Sequence, residues 1–224
     1  MIKALFFDVD GTLVSFNTHK VPESTIEALR EAHKRGVKLF TATGRPRQLL
    51  NNITEVEDIM DGFILATGAQ CVYGEKVVRQ DLIPTHEAEA IVDFCNRLDV
   101  PVEEVIKQGI LQITPFLTED QERTILPHIP GTTSARWHPA FCDLTSATAD
   151  KANGIRAIAE HMGIDISETM AFGDGGNDLT MLRAAGVGVA MGNALDEVKA
   201  HADYVTSSVD EDGIANALKH FEII

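Results

Sequence analysis

Short apolar runs alternate with amphipathic helical segments at both ends of this chain, and the alternation stops in between. Strands joined through helices pair in parallel and are covered on both faces, so this pattern constrains the fold more than any other feature. The first run, Ala4–Val9, closes on a glycine turn at Gly11 and a polar loop from Ser15 to Lys20. A helix then starts at Pro22-Glu23-Ser24, carries Ile26, Leu29 and Ala32 inward and stops at Gly36. Val37–Ala42 reads as the second strand. Thr43-Gly44-Arg45-Pro46 turns into another predicted helix, with Pro46 suited to its first turn. Gly62–Ala66 is a third strand, and Cys71–Tyr73 and Lys76–Arg79 flank Gly74-Glu75 as a hairpin.

The last third returns to this grammar. Helices are predicted over Lys151–Met162, Asn177–Ala185, Glu197–His201 and Asp212–Phe221, and strands over Thr169–Phe172, Val187–Ala190 and Tyr204-Val205. The middle differs, with a helix over His86–Leu98, strand-like runs at Val100–Val105 and Ile110–Thr114, a helix over Glu119–Leu126 and a strand at Ala135–Trp137. The expected organisation is an α/β core of residues 1–83 and 138–224 with a small α+β domain, 84–137, inserted in it. Pro84 and Pro139 mark the hinges.

The rest of the composition narrows the partners. No run approaches the roughly 18 apolar residues of a membrane helix, and no basic region with a cleavable apolar stretch opens the chain, so a cytoplasmic address is expected. A net charge of −15 argues against nucleic acid and anionic membrane, both of which reward a basic face. Cys71, Cys95 and Cys142 are odd in number and form no CxxC pair, as buried structural thiols would. Asn52-Ile53-Thr54 matches a glycosylation acceptor, a reading that fails without a secretory route.

Four groups that can do chemistry fall at strand ends or helix starts: Asp8/Asp10, Thr43-Gly44-Arg45, Lys151 and Gly173-Asp174-Gly175-Gly176-Asn177-Asp178. In an open parallel sheet those places share the edge where ligands bind. Asp8 and Asp10, two apart on an extended strand, point the same way and would repel each other without compensation. With only oxygen ligands on offer, a hard divalent cation such as Mg²⁺ is the expected compensation. Each group also has a plain structural reading. The two aspartates could be a turn-forming pair, Thr43 a helix cap, and the glycine loop a capping device. Lys151 opens a helix, where its charge opposes the helix dipole and brings no structural benefit. Arg45 could reach an anionic ligand or pair with a surface acid. Arg136-Trp137-His138 could line a ligand site or simply pack. Position 178 is Asp, so Gly173-x-Gly175 is not a dinucleotide fingerprint.

In their order and spacing, FFDVDGTLV, TATGRP, Lys151 before a helix, FGDGGNDLTML, GVAMGNA and ADYVTSSVDEDGI resemble the haloacid dehalogenase superfamily nearly end to end. Within it the chain is similar to the Cof-type sugar-phosphate phosphatases with a type C2B cap inserted after the third strand. The resemblance implies a three-layer, Rossmann-like, doubly wound parallel sheet under a small α+β cap. It implies Asp8 as nucleophile and Asp10 as acid and base, with Thr43, Gly44, Lys151, Asn177 and Arg45 toward the substrate phosphate. Mg²⁺ would be held by Asp8, Asp10 (through its carbonyl), Asp174 and Asp178. The implied reaction is hydrolysis of a small phosphorylated metabolite through an aspartyl phosphate. A phosphohexomutase-type transferase and a non-catalytic binding protein are the alternatives, and a monomer or weak dimer is expected. Two departures stand out: Thr67-Gly68-Ala69 replaces the common Asn-Gly-Ala, and the insert is short for the group, lacking an αβ unit around Val100–Val105.

Overall fold

Side chains of β1 (Ala4–Phe7) alternate between two cores. Leu5 and Phe7 point into one, and Ala4 and Phe6 into the other, so the strand is buried on both sides. Phe6 stacks on Phe40 at 4.9 Å between centroids on one face, and Phe7 on Phe172 at 4.8 Å on the other. The structure is a computed structural model that describes residues 1–100 and 109–224.

β1 is central in an eight-stranded sheet. Its neighbours are β2 (Lys38–Ala42) and, on the other side, β9 (Thr169–Gly173), both parallel to it. Beyond β2 come β3 (Gly62–Leu65), parallel, then the antiparallel hairpin β4 (Gln70–Tyr73) and β5 (Lys76–Gln80). Beyond β9 come β10 (Val187–Ala190) and β11 (Tyr204–Val205), again parallel. α1 (Glu23–Lys34) and α7 (Gly213–His220) cover the Leu5/Phe7 face, and α4 (Lys151–Met162) and α5 (Leu179–Ala184) the other. A short α6 (Asp196–Lys199) precedes β11. Strand order reverses between β1 and β9, which opens a crevice at their carboxyl ends. The doubly wound α/β core is as expected, with an antiparallel edge at β4 and β5.

The small unit has its own sheet, ordered β6 (Gln112–Ile113), β8 (Phe141–Ser146), β7 (Thr132–His138) and antiparallel throughout. α2 (Thr85–Arg97) and α3 (Glu119–Ile125) supply its core with Ala88, Ile91, Cys95 and Ile125, facing Ile113, Cys142 and Leu144. Thr118 caps α3 in a reciprocal box with Gln121. Leu111 packs on Ala66, Ala69 and Ala149 of the core.

Three local expectations need revision or lie out of reach. The return to the core expected at residue 138 falls inside the β7–β8 hairpin, and the small sheet closes only at Ser146. β8 does carry a strand's alternation, with Cys142 and Leu144 against polar Asp143 and Thr145, but it directly follows Pro139, read as the hinge back to the core. The helix expected after Pro46 does not form. Two 3₁₀ turns, Arg47–Leu49 and Glu57–Ile59, stand there instead. Leu50, Ile53, Val56 and Ile59 are all buried, and only Ile59 lies within one of these turns, so tertiary packing of an irregular segment and not a helical period buries them. The strand-like run at Val100–Val105 lies, from residue 101 on, outside the described residues.

Candidate active site

The crevice between β1 and β9 receives its side chains from four connections. At the end of β1 the backbone turns back at once: Val14 N–H donates to Val9 O at 2.8 Å and Gly11 N–H to Val14 O at 2.9 Å. Gly11 sits at φ 93°, and a Cβ there would strike the Asp174 carboxylate. Only glycine lets the turn after β1 press against the loop after β9.

The turn aims Asp8 into the crevice. One oxygen of its carboxylate, Oδ1, accepts a hydrogen bond from Lys151 Nζ at 2.7 Å, and the same ammonium reaches Asp178 Oδ1 at 2.6 Å. Lys151 is wholly buried, in the first turn of α4 behind the N-cap Asp150. Gly68, at φ 98°, lies against the backbone of Asp150, so the loop after β3 packs directly on the start of α4. Asp178 Oδ2 accepts from the backbone N–H of Asp174 at 3.0 Å and of Gly175 at 2.9 Å, which folds the glycine loop around it. Asp174 Oδ1 accepts from Thr12 Oγ1 at 2.9 Å. Asn193 donates to Gly11 O at 2.8 Å and lies 3.4 Å from Asp174 Oδ2, tying the two loops together.

Charge is out of balance here. Asp8, Asp174 and Asp178 each offer an oxygen within 4.8 Å of the others, and the one ammonium among them bonds only Asp8 and Asp178. Burial, then the nearby charge of Asp178, pushes the Asp8 carboxyl up to about 8 despite Lys151. Burial also raises Asp174 to about 6, against the pull of the Thr12 hydrogen bond. Burial alone would lower the Lys151 ammonium, but Asp178 and Asp8 raise it above its ordinary value. A cluster of hard oxygen donors carrying excess negative charge fits a hard divalent cation.

Of the other expected residues, Thr43 is buried at the end of β2, where its Oγ1 accepts from the Arg45 N–H at 3.1 Å. Gly44 follows it, and a Cβ on Gly44 would stand 3.6 Å from Thr67 Oγ1. Thr67 stands where the sequence resemblance leads one to expect Asn. It and Ala66 are both left-handed, at φ 55° and 47°, and their N–H groups donate to Thr43 O and Arg45 O at 3.0 Å each. Two consecutive non-glycine residues in that region mark a strained loop beside the crevice. Asn177 is exposed on the turn Gly176–Asp178, at the edge of the cluster. Asp10 lies outside the three-carboxylate group, its carboxylate gripped by Arg45 and Asn52. Arg136 is taken up within the small unit by Glu122 Oε2 at 2.6 Å and Leu117 O at 2.8 Å. His138 stacks on Phe141 at 4.9 Å.

Sequence reasoning missed Thr12, Asn52 and Asn193. Thr12 and Asn193 lay within quoted motifs, but nothing in the chain order pairs either with Asp174. Asn52 carried no signal beyond a glycosylation pattern.

A parallel sheet with an oxygen-rich, lysine-bridged crevice at its switch point defines a class of α/β enzyme, and the sequence comparisons say which. The profile of the haloacid dehalogenase-like hydrolases matches residues 5–115 and 101–218. The chain belongs to that family and is an enzyme of its phosphatase and phosphotransferase branch. It is 31% identical to YkrA of Bacillus subtilis, a candidate phosphatase, over 99% of this chain and 98% of that protein. A solved sugar phosphatase of haloacid dehalogenase subclass IIB superposes with a TM-score of 0.90 at 46% identity, covering 99% of this chain and 100% of that one. A phosphatase from Bacteroides thetaiotaomicron superposes with a TM-score of 0.92 at 37% identity, covering 100% and 96%. No helix among the described residues is long and apolar enough to cross a membrane.

Proposed function

We propose that the chain is a Mg²⁺-dependent phosphomonoester hydrolase acting on small phosphorylated metabolites, sugar phosphates foremost, through an aspartyl phosphate on Asp8. The observation that carries this reading is the fully buried Lys151 ammonium, bonded to both Asp8 and Asp178 beside Asp174. A buried ammonium shared by acids that outnumber it does no structural work a hydrophobic residue could not do better. It suits a site that must receive a phosphate dianion. The relatives named as phosphatases support the same class of substrate.

Asp8, Asp174 and the Asp10 carbonyl would hold the cation, with Asp178 behind them fixing Lys151 and the glycine loop. When bound, the cation supplies the positive charge that lets an anionic nucleophile meet an anionic phosphate. Lys151 holds a phosphoryl oxygen and the Asp8 carboxylate at once. The Thr43 hydroxyl, the Gly44 N–H and the Asn177 amide donate to the remaining oxygens. An Asp8 carboxylate oxygen forms a bond to phosphorus as the bond to the ester oxygen breaks, and Asp10 gives that oxygen its proton. Asp10 then takes a proton from water as the water oxygen attacks phosphorus, which releases phosphate and restores Asp8.

Residues 84–146 form the cap in this reading, shorter than is usual for the type. The profile match breaks into two overlapping pieces inside this region, which supports that shortening. A panel of phosphorylated metabolites with and without Mg²⁺ tests the proposal. Metal-dependent phosphate release that Asp8→Asn abolishes supports it, and release by Asp8→Asn at the wild-type rate overturns it. Transfer of the phosphoryl group to a second sugar instead of water would mark a mutase.

A further inference from the structure

Asp10, the residue the proposed reaction asks to move a proton twice, is held by two side chains from a segment with no α-helix or strand. Arg45 Nε donates to Asp10 Oδ2 at 2.7 Å and Nη2 to Oδ1 at 2.9 Å, a two-point fork. Its third nitrogen, Nη1, donates to Leu49 O at 3.3 Å, so each guanidinium nitrogen has a partner within the protein. Asn52 Nδ2 adds a donor to Asp10 Oδ1 at 3.2 Å. The Asn52 carbonyl oxygen is buried without a donor, so turning the amide over would place that oxygen against Asp10. The amide faces Asp10 with its donor side at the expense of its own acceptor.

The segment that carries both donors is pinned. Leu50 and Ile53 are buried, and Arg47 lies over the Phe63 ring at 4.7 Å and pairs with Glu57. Asp10 itself stands in a tight turn, about a third exposed, where an unheld carboxylate would sample several rotamers.

We infer that Arg45 and Asn52 are positioning residues that act on the reaction through Asp10, and that Arg45 is not a ligand of the substrate phosphate. The inference rests on the phosphatase reading. The clamp also distinguishes the two oxygens of Asp10. Oδ1 accepts from both Arg45 and Asn52, whereas Oδ2 accepts only from Arg45 Nε and keeps a lone pair open. Oδ2 is the atom that carries the proton to the ester oxygen and later receives one from water. Holding it in one direction is how a positioned group turns a chance encounter into a prepared one.

The experiment compares kcat/KM on p-nitrophenyl phosphate, whose leaving group needs no proton, with kcat/KM on the best alkyl phosphate of a hexose and pentose phosphate panel. kcat/KM reports only the steps up to release of the leaving group, so the second use of Asp10 does not enter. Arg45→Ala should lower it by about 10²-fold on the alkyl ester and by less than about threefold on the aryl ester. Asn52→Ala should show the same bias at about tenfold or less on the alkyl ester, and Arg45→Lys should fall between wild type and Arg45→Ala. Inhibition by inorganic phosphate should stay unchanged. In an Asp10→Ala background, Arg45→Ala should cost no more than about twofold further. Thermal melting of each variant identifies any that fail to fold, and the milder Asn52→Ala then carries the test. Equal losses on both esters with weakened phosphate inhibition, or losses that multiply in the double variant, overturn the inference and make Arg45 a phosphate ligand. A wild type inactive on every ester overturns instead the reading beneath it.

Discussion

Both units of the molecule bury acids, and they do so for different ends. In the small unit Glu87 accepts from the Gly131 N–H and the Thr132 hydroxyl at 2.7 Å each, and Glu122 accepts from Ser134 and Arg136. Each of those acids has its own donors from the opposite side of its core, so each stitches a helix to β7 or the turn before it. In the large unit Asp8 and Asp178 share one ammonium, with Asp174 clustered beside them. A buried acid with a private set of donors is a staple, while three clustered acids with a single ammonium among them carry surplus negative charge, as a site for a cation and a substrate would. The difference can be tested by breaking each arrangement in turn.

The largest effect is expected at Asp8, the proposed nucleophile. Asp8→Asn should lower kcat by roughly 10⁴-fold or more while the protein stays folded, since it removes one of the competing negative charges. Steady-state kinetics with a melting curve checks both halves. A similar loss of kcat from Glu87→Gln would erase the distinction between the two units.

Removing the shared ammonium should come next. Lys151→Met leaves Asp8 and Asp178 buried without their partner and should cost about 3–5 kcal/mol in chelator, besides ending turnover. Urea denaturation measures it. In the small unit, Glu87→Ala strands the Gly131 N–H and the Thr132 hydroxyl and should cost about 1–3 kcal/mol, with kcat changed only a few-fold.

The smallest expected effect is a pH dependence confined to the large unit. Asp8 and Asp174 are raised to about 8 and about 6 from an unfolded value near 3.8, so between those limits the folded protein holds protons that the unfolded chain has lost. Stability without metal should therefore be greatest below about pH 4 as far as these groups contribute, and fall as pH rises toward 8. Mg²⁺ bound by these acids, as proposed, would compete with those protons, so it should raise the melting temperature more at pH 8 than at pH 5. Scanning calorimetry in chelator and in Mg²⁺ at the two values decides it. An equal Mg²⁺ effect at both would mean that the acids are not protonated in the metal-free fold.

How far the sequence carries the structure follows from the range of the interactions involved. β1, α1, β2 and α4 were legible because their hydrophobic period and end signals are local. Asp8, Asp174, Asp178 and Lys151 were legible because they end or begin such elements, and a parallel sheet collects those points on one edge. The grip of Arg45 on Asp10 spans 35 positions and the Thr12–Asp174 bond spans 162, and no local pattern predicts either. β8 has a strand's own alternation, but its pairing between β6 and β7, which makes it the centre of the small sheet, joins segments that no local pattern connects. The helix expected after Pro46 rested on that proline alone as a first-turn residue, and a proline suits the start of a 3₁₀ turn equally.

The account turns on a phosphoryl group passing through Asp8. Acid quench of Asp10→Ala during turnover of p-nitrophenyl phosphate, followed by mass spectrometry of its peptides, looks for it directly. The loss of the base should let the intermediate build up, so one phosphoryl group should appear on the peptide that holds Asp8, only when Mg²⁺ is present. Release of p-nitrophenol with no adduct there, or with an adduct on another residue, would contradict the account.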